Sequence, residues 1–85
     1  MPFDPPLAWI VHSTELSGLP ARVETCSAAR EMIRGLDNAV NAKLHWRLAA
    51  HVLENAIRSR EPEDVELATE ALESALKAER WLRAE

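Results

Sequence analysis

The histidines are the residues in this chain best suited to metal binding or proton transfer. They are His12, His45 and His51. Two histidines on one helix bind the same ion when they are three or four residues apart. His45 and His51 lie about 240° apart around a helix, so they cannot share an ion. We predict no metal and no cofactor. We expect His45 to be a core or interface residue held by a hydrogen bond, with a ligand or pH-sensing role as the alternative.

Cys26 is the only cysteine, and the sequence places it in the first turn of a helix. A helix dipole can make such a thiol reactive. No cysteine-enzyme motif surrounds it, and the chain has no phosphate loop, nucleophile elbow or catalytic triad. We therefore expect Cys26 to be small, inert and half-buried, and we predict no catalytic residues. An enzyme that uses Cys26 and a histidine is the least favoured alternative.

The basic residues permit a different function, nucleic-acid binding through the arginine-bearing faces of the first two helices. The candidates are Arg22, Arg30, Arg34, Arg47, Arg58 and Arg60. The net charge of the 85 residues is −4, and residues 61–85 are the most acidic part. Because basic charge supplies most of the affinity for phosphate, nucleic-acid binding remains the alternative. We expect most of the arginines to be solvated and paired with carboxylates.

The apolar residues favour protein contacts over chemistry. The three tryptophans stand in a chain with one phenylalanine and no tyrosine, and aromatic residues fill small cores and enrich interfaces. We expect Trp46 in the core and assign Trp81 equally to core and contact. The candidate interface residues are Trp46, Trp81, Leu67 and Val11.

The second predicted helix, residues 41–58, is too apolar for an ordinary surface helix. Its apolar residues cover roughly two-thirds of the circumference, whereas an amphipathic stripe spans little more than about 100°. We expect Leu48 and Val52 to be buried at the structural centre. We also expect a homodimer, through either this helix and the last one or the edge of the first strand.

Element order indicates an α+β fold, an N-terminal two-stranded antiparallel hairpin packed on three helices (β-β-α-α-α). Strands are predicted at 7–13 and 21–24, joined by a turn at Gly18 and Pro20. Thr25 is a candidate N-cap, and Pro62 suits the first turn of the last helix. Residues 1–6 form a tail, because three prolines exclude a helix there. Residues 7–85 form the single domain.

Three of these segments resemble a small bacterial family, the domain of unknown function number 982. The shared features are Val23-Glu24-Thr25 before a helix with Ala29, the central Ala49-Ala50, and the alanine spacing of the last helix. Residues 36–37 differ from the Trp-Pro that is usual in the family. The resemblance implies the fold and no activity.

Composition bounds the remaining expectations. The chain is 47% hydrophobic and 28% charged, which is typical of a soluble globular domain. No signal peptide or membrane span is visible, and a lone cysteine fits a reducing compartment, so we expect a cytoplasmic protein. The sequence predicts a small self-associating protein-interaction module without enzymatic activity, which could also bind another protein.

Overall fold

The predicted order of strands and helices is confirmed. A computed structural model of the chain describes residues 5–14 and 21–82, and it has an α+β fold. The predicted turn at Gly18 and Pro20 lies outside these residues. The elements are β1 (Pro6–His12), β2 (Arg22–Thr25), α1 (Cys26–Arg34), α2 (Asn38–Asn41), α3 (Leu44–Ser59) and α4 (Pro62–Ala78). The three predicted helices correspond to α1, α3 and α4, and the single turn of α2 is an addition.

Strand β1 pairs with β2 antiparallel, but its register is interrupted. Val11 pairs with Val23 and Pro6 pairs with Thr25, so β1 has extra residues between these two pairs. Such a bulge bends the strand and turns its side chains outward. Leu7 and Val11 are buried on either side of it, while Trp9 and Ile10 inside it are exposed.

The domain begins earlier than predicted, because the last two residues of the expected tail are part of the fold. Pro6 is the first residue of β1, and Pro5 is buried. The Pro5 carbonyl accepts a hydrogen bond from the Cys26 backbone N–H at 3.0 Å. Proline lacks an N–H donor but keeps this acceptor, so it can join the sheet at its end.

Local capping explains where the helices begin and end. Thr25 caps α1 as predicted, its hydroxyl accepting from the Ala28 N–H at 3.1 Å. Arg60 adopts a left-handed conformation (φ 59°) that ends α3. Pro62 then starts α4, with Glu63 and Asp64 in the first turn, where the helix dipole favours carboxylates.

The domain has two layers. Helices α3 and α4 form an antiparallel pair, and one side of this pair is covered by α1 over α3 and by β1 over α4. The core lies between the layers, and its largest fully buried apolar side chains are Trp46, Leu53, Leu72, Leu76, Val11 and Val23.

The edge of β1 that does not pair with β2 is covered within the same chain. The buried Thr69 of α4 accepts a hydrogen bond from the Ala8 N–H at 3.0 Å and donates one to the Val65 carbonyl at 2.8 Å. Leu82 forms a bridge with Ser13, and the Thr14 N–H donates to the Trp81 carbonyl at 2.8 Å. Helix α4 and residues 81–82 thus occupy most of an edge that could otherwise pair with another strand.

The expectation that Leu48 is buried is wrong. Leu48 is 55% exposed, and Val52 is only half-buried. The buried stripe of α3 consists of Trp46, Ala49, Leu53 and Ala56. Because α1 and α4 cover only part of a two-thirds apolar circumference, the packing had to leave some of it exposed. Leu48 lies on that uncovered part.

Candidate functional site

A polar cluster that is largely enclosed surrounds Glu79, just after the end of α4. Its carboxylate accepts hydrogen bonds from Lys43 Nζ at 3.1 Å and from Trp46 Nε1 at 3.0 Å. His45 Nε2 lies 3.5 Å from the same carboxylate. The pKa of Glu79 is lowered, first by the Trp46 hydrogen bond and then by the hydrogen bond and charge of Lys43, which together outweigh the opposing effect of burial.

This cluster acts as a structural cross-link. The two donors, Lys43 and Trp46, lie with His45 at the start of α3, so Glu79 ties that start to the end of α4. The Glu79 side chain is only 12% exposed, and both of its oxygens accept hydrogen bonds from the chain itself. An ionised carboxylate that is enclosed and hydrogen-bonded in this way is poorly placed to accept a proton from a ligand.

The remaining candidates for chemistry are dispersed or buried. Cys26 has no exposed surface, so its burial is more complete than expected. Among residues 5–14 and 21–82, no group of three or more histidines, cysteines and carboxylates could hold a metal ion. His45 is half-buried and packs against the Trp46 ring with the centroids 5.6 Å apart.

The arginines do not form one basic face. Arg22 pairs with Glu24 at 2.6 Å, Arg34 pairs with Glu31 at 3.1 Å, and Arg30 pairs with Glu54 at 3.4 Å. Arg47 and Arg58 of α3 are exposed and make no ion pair with any residue that the structure describes.

The four residues predicted at an interface have different environments. Val11 and Trp46 have no exposed surface, so neither can touch a partner that docks on the folded chain. Trp81 is half-buried, with its ring centroid 6.1 Å from that of Trp46. Leu67 is 52% exposed. Of these four residues, Leu67 and the exposed part of the Trp81 side chain are available for contact.

The largest exposed aliphatic side chains of the helical layer lie on its side away from the core. Leu44 is 79% exposed and Leu48 is 55% exposed, both on α3, and Leu67 is on α4. Val52 lies one helical turn after Leu48, and Ala71 lies one turn after Leu67. Both are half-buried. At about 100° per residue, Leu44, Leu48 and Val52 form one stripe. We call these five residues the outer face.

The sequence indicated that α3 has more apolar surface than its neighbours can cover, but it did not identify which residues stay exposed. The excess apolar circumference of α3 was the signal, and Leu48 and Val52 were assigned to the core. The width of the apolar arc measures how much apolar surface must pack against other elements. Only the positions of α1 and α4 say which part is left uncovered.

Comparisons with known proteins identify no relative. No family model, no curated protein sequence and no solved structure matches this chain. The resemblance to the domain of unknown function number 982 stays a prediction.

The helices were also compared with the length and hydropathy that a membrane span requires. Each of those in residues 5–14 and 21–82 is too short or too polar to cross a bilayer.

Proposed function

We propose that this protein is a non-enzymatic, self-associating interaction module that forms a homodimer by burying the outer face. The observation that carries the proposal is the exposure of three leucines, Leu44, Leu48 and Leu67, by more than half on one side of the helical layer. Exposed apolar side chains gathered on one surface mark interaction sites. Because Leu48 and Leu67 are already about half covered, burying the remainder of each contributes roughly 1 kcal/mol, and the burial of Leu44 contributes more.

The dimensions of the helical layer support a dimer of modest affinity. Helix α3 has 16 residues and is therefore about 24 Å long, and two adjacent helices are about 20 Å wide. Two such faces in contact bury roughly 1,000 Å², which is the lower limit for a specific interface. We therefore expect dissociation in the micromolar range.

The covered edge of β1 favours the helical dimer over the strand-paired dimer. Thr69 and residues 81–82 already bind that edge. A second copy would have to displace these contacts before the two β1 strands could pair. Trp81, which is half-buried, then lies near the rim of the helical interface.

The non-enzymatic part of the proposal rests on the environments of the reactive groups. The Cys26 thiol is fully buried, and the Glu79 carboxylate accepts hydrogen bonds from Lys43 and Trp46. We also place the protein in the cytoplasm, because a single cysteine fits a reducing compartment.

Sedimentation equilibrium at micromolar to hundred-micromolar protein tests the dimer. We expect a mass approaching twice the 9.5 kDa of the chain. Leu48→Lys should give the monomer mass, because it places a charge in the apolar interface. The matched control is Ile10→Lys, which introduces the same charge at an exposed apolar residue of β1 and should leave the dimer intact.

Two results would overturn this proposal. A wild-type mass of 9.5 kDa throughout the concentration range would exclude the homodimer. Dissociation by Ile10→Lys and not by Leu48→Lys would move the interface to β1. Nucleic-acid binding, the alternative function, would be supported by a gel shift with duplex DNA at sub-micromolar protein in moderate salt.

A further inference from the structure

We infer that the two copies pack with α3 of one on α4 of the other, about a twofold axis parallel to the helices, which makes an antiparallel four-helix bundle. This inference rests on the proposed function, because it specifies the geometry of that dimer. The observation behind it is the unequal distribution of unpaired charge on the two sides of the outer face.

The α3 side of the outer face is basic. At about 100° per residue, Arg47, His51 and Arg58 follow one another on the edge of α3 beyond Leu44, away from α4. All three side chains are exposed. Glu54, the next residue around, faces α1 and is paired there with Arg30. The basic edge is therefore the outermost flank of α3.

The α4 side of the outer face is acidic. Glu63, Glu66 and Glu70 are exposed and line a shallow depression together with Leu67. These carboxylates make no ion pair with the residues in 5–14 and 21–82. Carboxylates elsewhere in the described chain, such as Glu31, Glu54 and Glu79, are paired. Lys77, which is exposed on the same edge, is its one cation among the described residues, so three carboxylates against one amine leave the edge with a net negative charge.

Two twofold arrangements can bring the outer faces of two copies together. An axis parallel to the helices places α3 on the partner's α4, so the basic edge meets the acidic edge twice. An axis across the helices places α3 on α3 and α4 on α4, so like charges meet. Like charges that face each other across an interface weaken association, which selects the first arrangement. It also makes neighbouring helices antiparallel, as in up-and-down bundles.

The positions of His51 and Arg58 along the helix axes agree with this arrangement, whereas Arg47 is level with Ser74 and Lys77 and meets no carboxylate. Lys43 lies opposite Glu79 at one end of the pair, and Ser59 lies opposite Asp64 at the other. His51 and Glu70 are therefore near the same level midway, and Arg58 and Glu63 are level near the turn. Rotation about an axis parallel to the helices preserves these levels, so the same residues face each other across the dimer.

Disulfide cross-linking tests the geometry. In one chain His51 and Glu70 lie on opposite edges of the helical layer, so cysteines at these positions cannot bond within it. We expect His51→Cys with Glu70→Cys to form a covalent dimer under mild oxidation. Neither single variant should do so. The matched control is His51→Cys with Lys77→Cys, because Lys77 lies about 10 Å farther along the same edge. Circular dichroism checks that each variant is folded.

The cross-linking outcomes separate this inference from the proposed function. Covalent dimer from His51→Cys alone would show α3 on α3 and overturn the arrangement. No cross-link in any variant, with a dimer mass in sedimentation, would also overturn it and leave the homodimer standing. A monomeric wild type would overturn both the proposed homodimer and the inferred arrangement of its helices.

Charge reversal gives an independent readout. Arg58→Glu and Glu63→Arg should each weaken the dimer roughly tenfold, and the double variant should recover most of the loss. The arrangement with like helices in contact requires the opposite, a tighter dimer from each single reversal. That result would overturn the inference.

Discussion

Leu53 and Leu48 are leucines on the same helix, yet they lie in opposite environments. Leu53 has no exposed surface, whereas Leu48 is 55% exposed. Both belong to the apolar arc of α3, and each has one small apolar neighbour in sequence, Ala49 for Leu48 and Val52 for Leu53. The comparison shows that hydrophobicity does not by itself assign a residue to the core of this chain.

The two sides of the helical layer also differ in the size of their side chains. The buried side of α3 contains Ala49 and Ala56, and that of α4 contains Ala68 and Ala75. Small residues let two helices approach closely and interlock with larger neighbours such as Leu72. The outer face carries leucines that project from the surface. The inner side is packed within the chain, and the outer face is left exposed.

The largest expected effect separates Leu53 from Leu48. Leu53→Ala should lower the free energy of unfolding by about 2–5 kcal/mol, because it leaves a cavity in the core. Leu48→Ala should change it by less than about 0.5 kcal/mol in the monomer. Urea denaturation measures both, at protein concentrations low enough that dimerisation adds nothing to stability. Equal losses would mean that both sides of α3 are packed.

Glu79→Ala should cost about 1–3 kcal/mol, because the Trp46 indole N–H loses its acceptor beside the core. Thermal unfolding with circular dichroism measures the loss. A change below 0.5 kcal/mol would show that the cross-link between α3 and α4 contributes little, and would leave apolar packing as the source of the contrast between the two sides.

Lowering the pH should reduce the stabilisation that the Glu79 carboxylate provides. The pKa of Glu79 is lower in the folded chain than its ordinary value of 4.5. The stabilisation by its ionised form is therefore complete above that value and is lost as the pH falls through the folded-state pKa. The difference in stability between wild type and Glu79→Gln should shrink on acidification below pH 4.5. A difference that stays constant would contradict the pKa assignment.

Thr69→Val should destabilise the chain by about 1–2 kcal/mol while keeping the side-chain shape. The Ala8 N–H would lose the hydroxyl that accepts its hydrogen bond. Hydrogen exchange at Ala8 should accelerate relative to the wild type. Thr69→Ser, which retains the hydroxyl, is the control and should keep the slower exchange.

The smallest expected effect concerns Leu44, which is the most exposed leucine of the outer face. Leu44→Gln should change monomer stability by less than about 0.5 kcal/mol, yet it should weaken the dimer severalfold. Sedimentation at several concentrations measures the second quantity. Unchanged association would restrict the interface to the part around Leu48 and Leu67.

Local rules predicted the elements well because each depends on neighbouring residues. The Thr25 cap, the Pro62 start and the periodicity of α3 and α4 all act within a few residues, and the structure contains each of them. The short helix α2 was not predicted, since four residues show no periodicity. The bulge at Trp9 and Ile10 was also not predicted, because strand register depends on the partner strand.

The candidate site was predicted less well than the fold. Leu67 is exposed and available for contact, Trp46 is in the core as expected, and Val11, a candidate for strand pairing, is also in the core. Leu44 was not considered for contact, although it is the most exposed of the large hydrophobic residues in the described chain. Exposure depends on what packs over a residue, and one sequence without its tertiary contacts does not contain that information directly.

The sequence by itself determined the strand and helix order, the capping residues and an excess of apolar surface on α3, because propensity, capping and periodicity are local properties. Only the tertiary structure decided where that excess lies. Covering α3 with α1 on one flank and α4 on the other buried Leu53 and left Leu48 exposed. Packing also brought Glu79 to Trp46 and Thr69 to Ala8, contacts between residues far apart in the chain that no local pattern specifies.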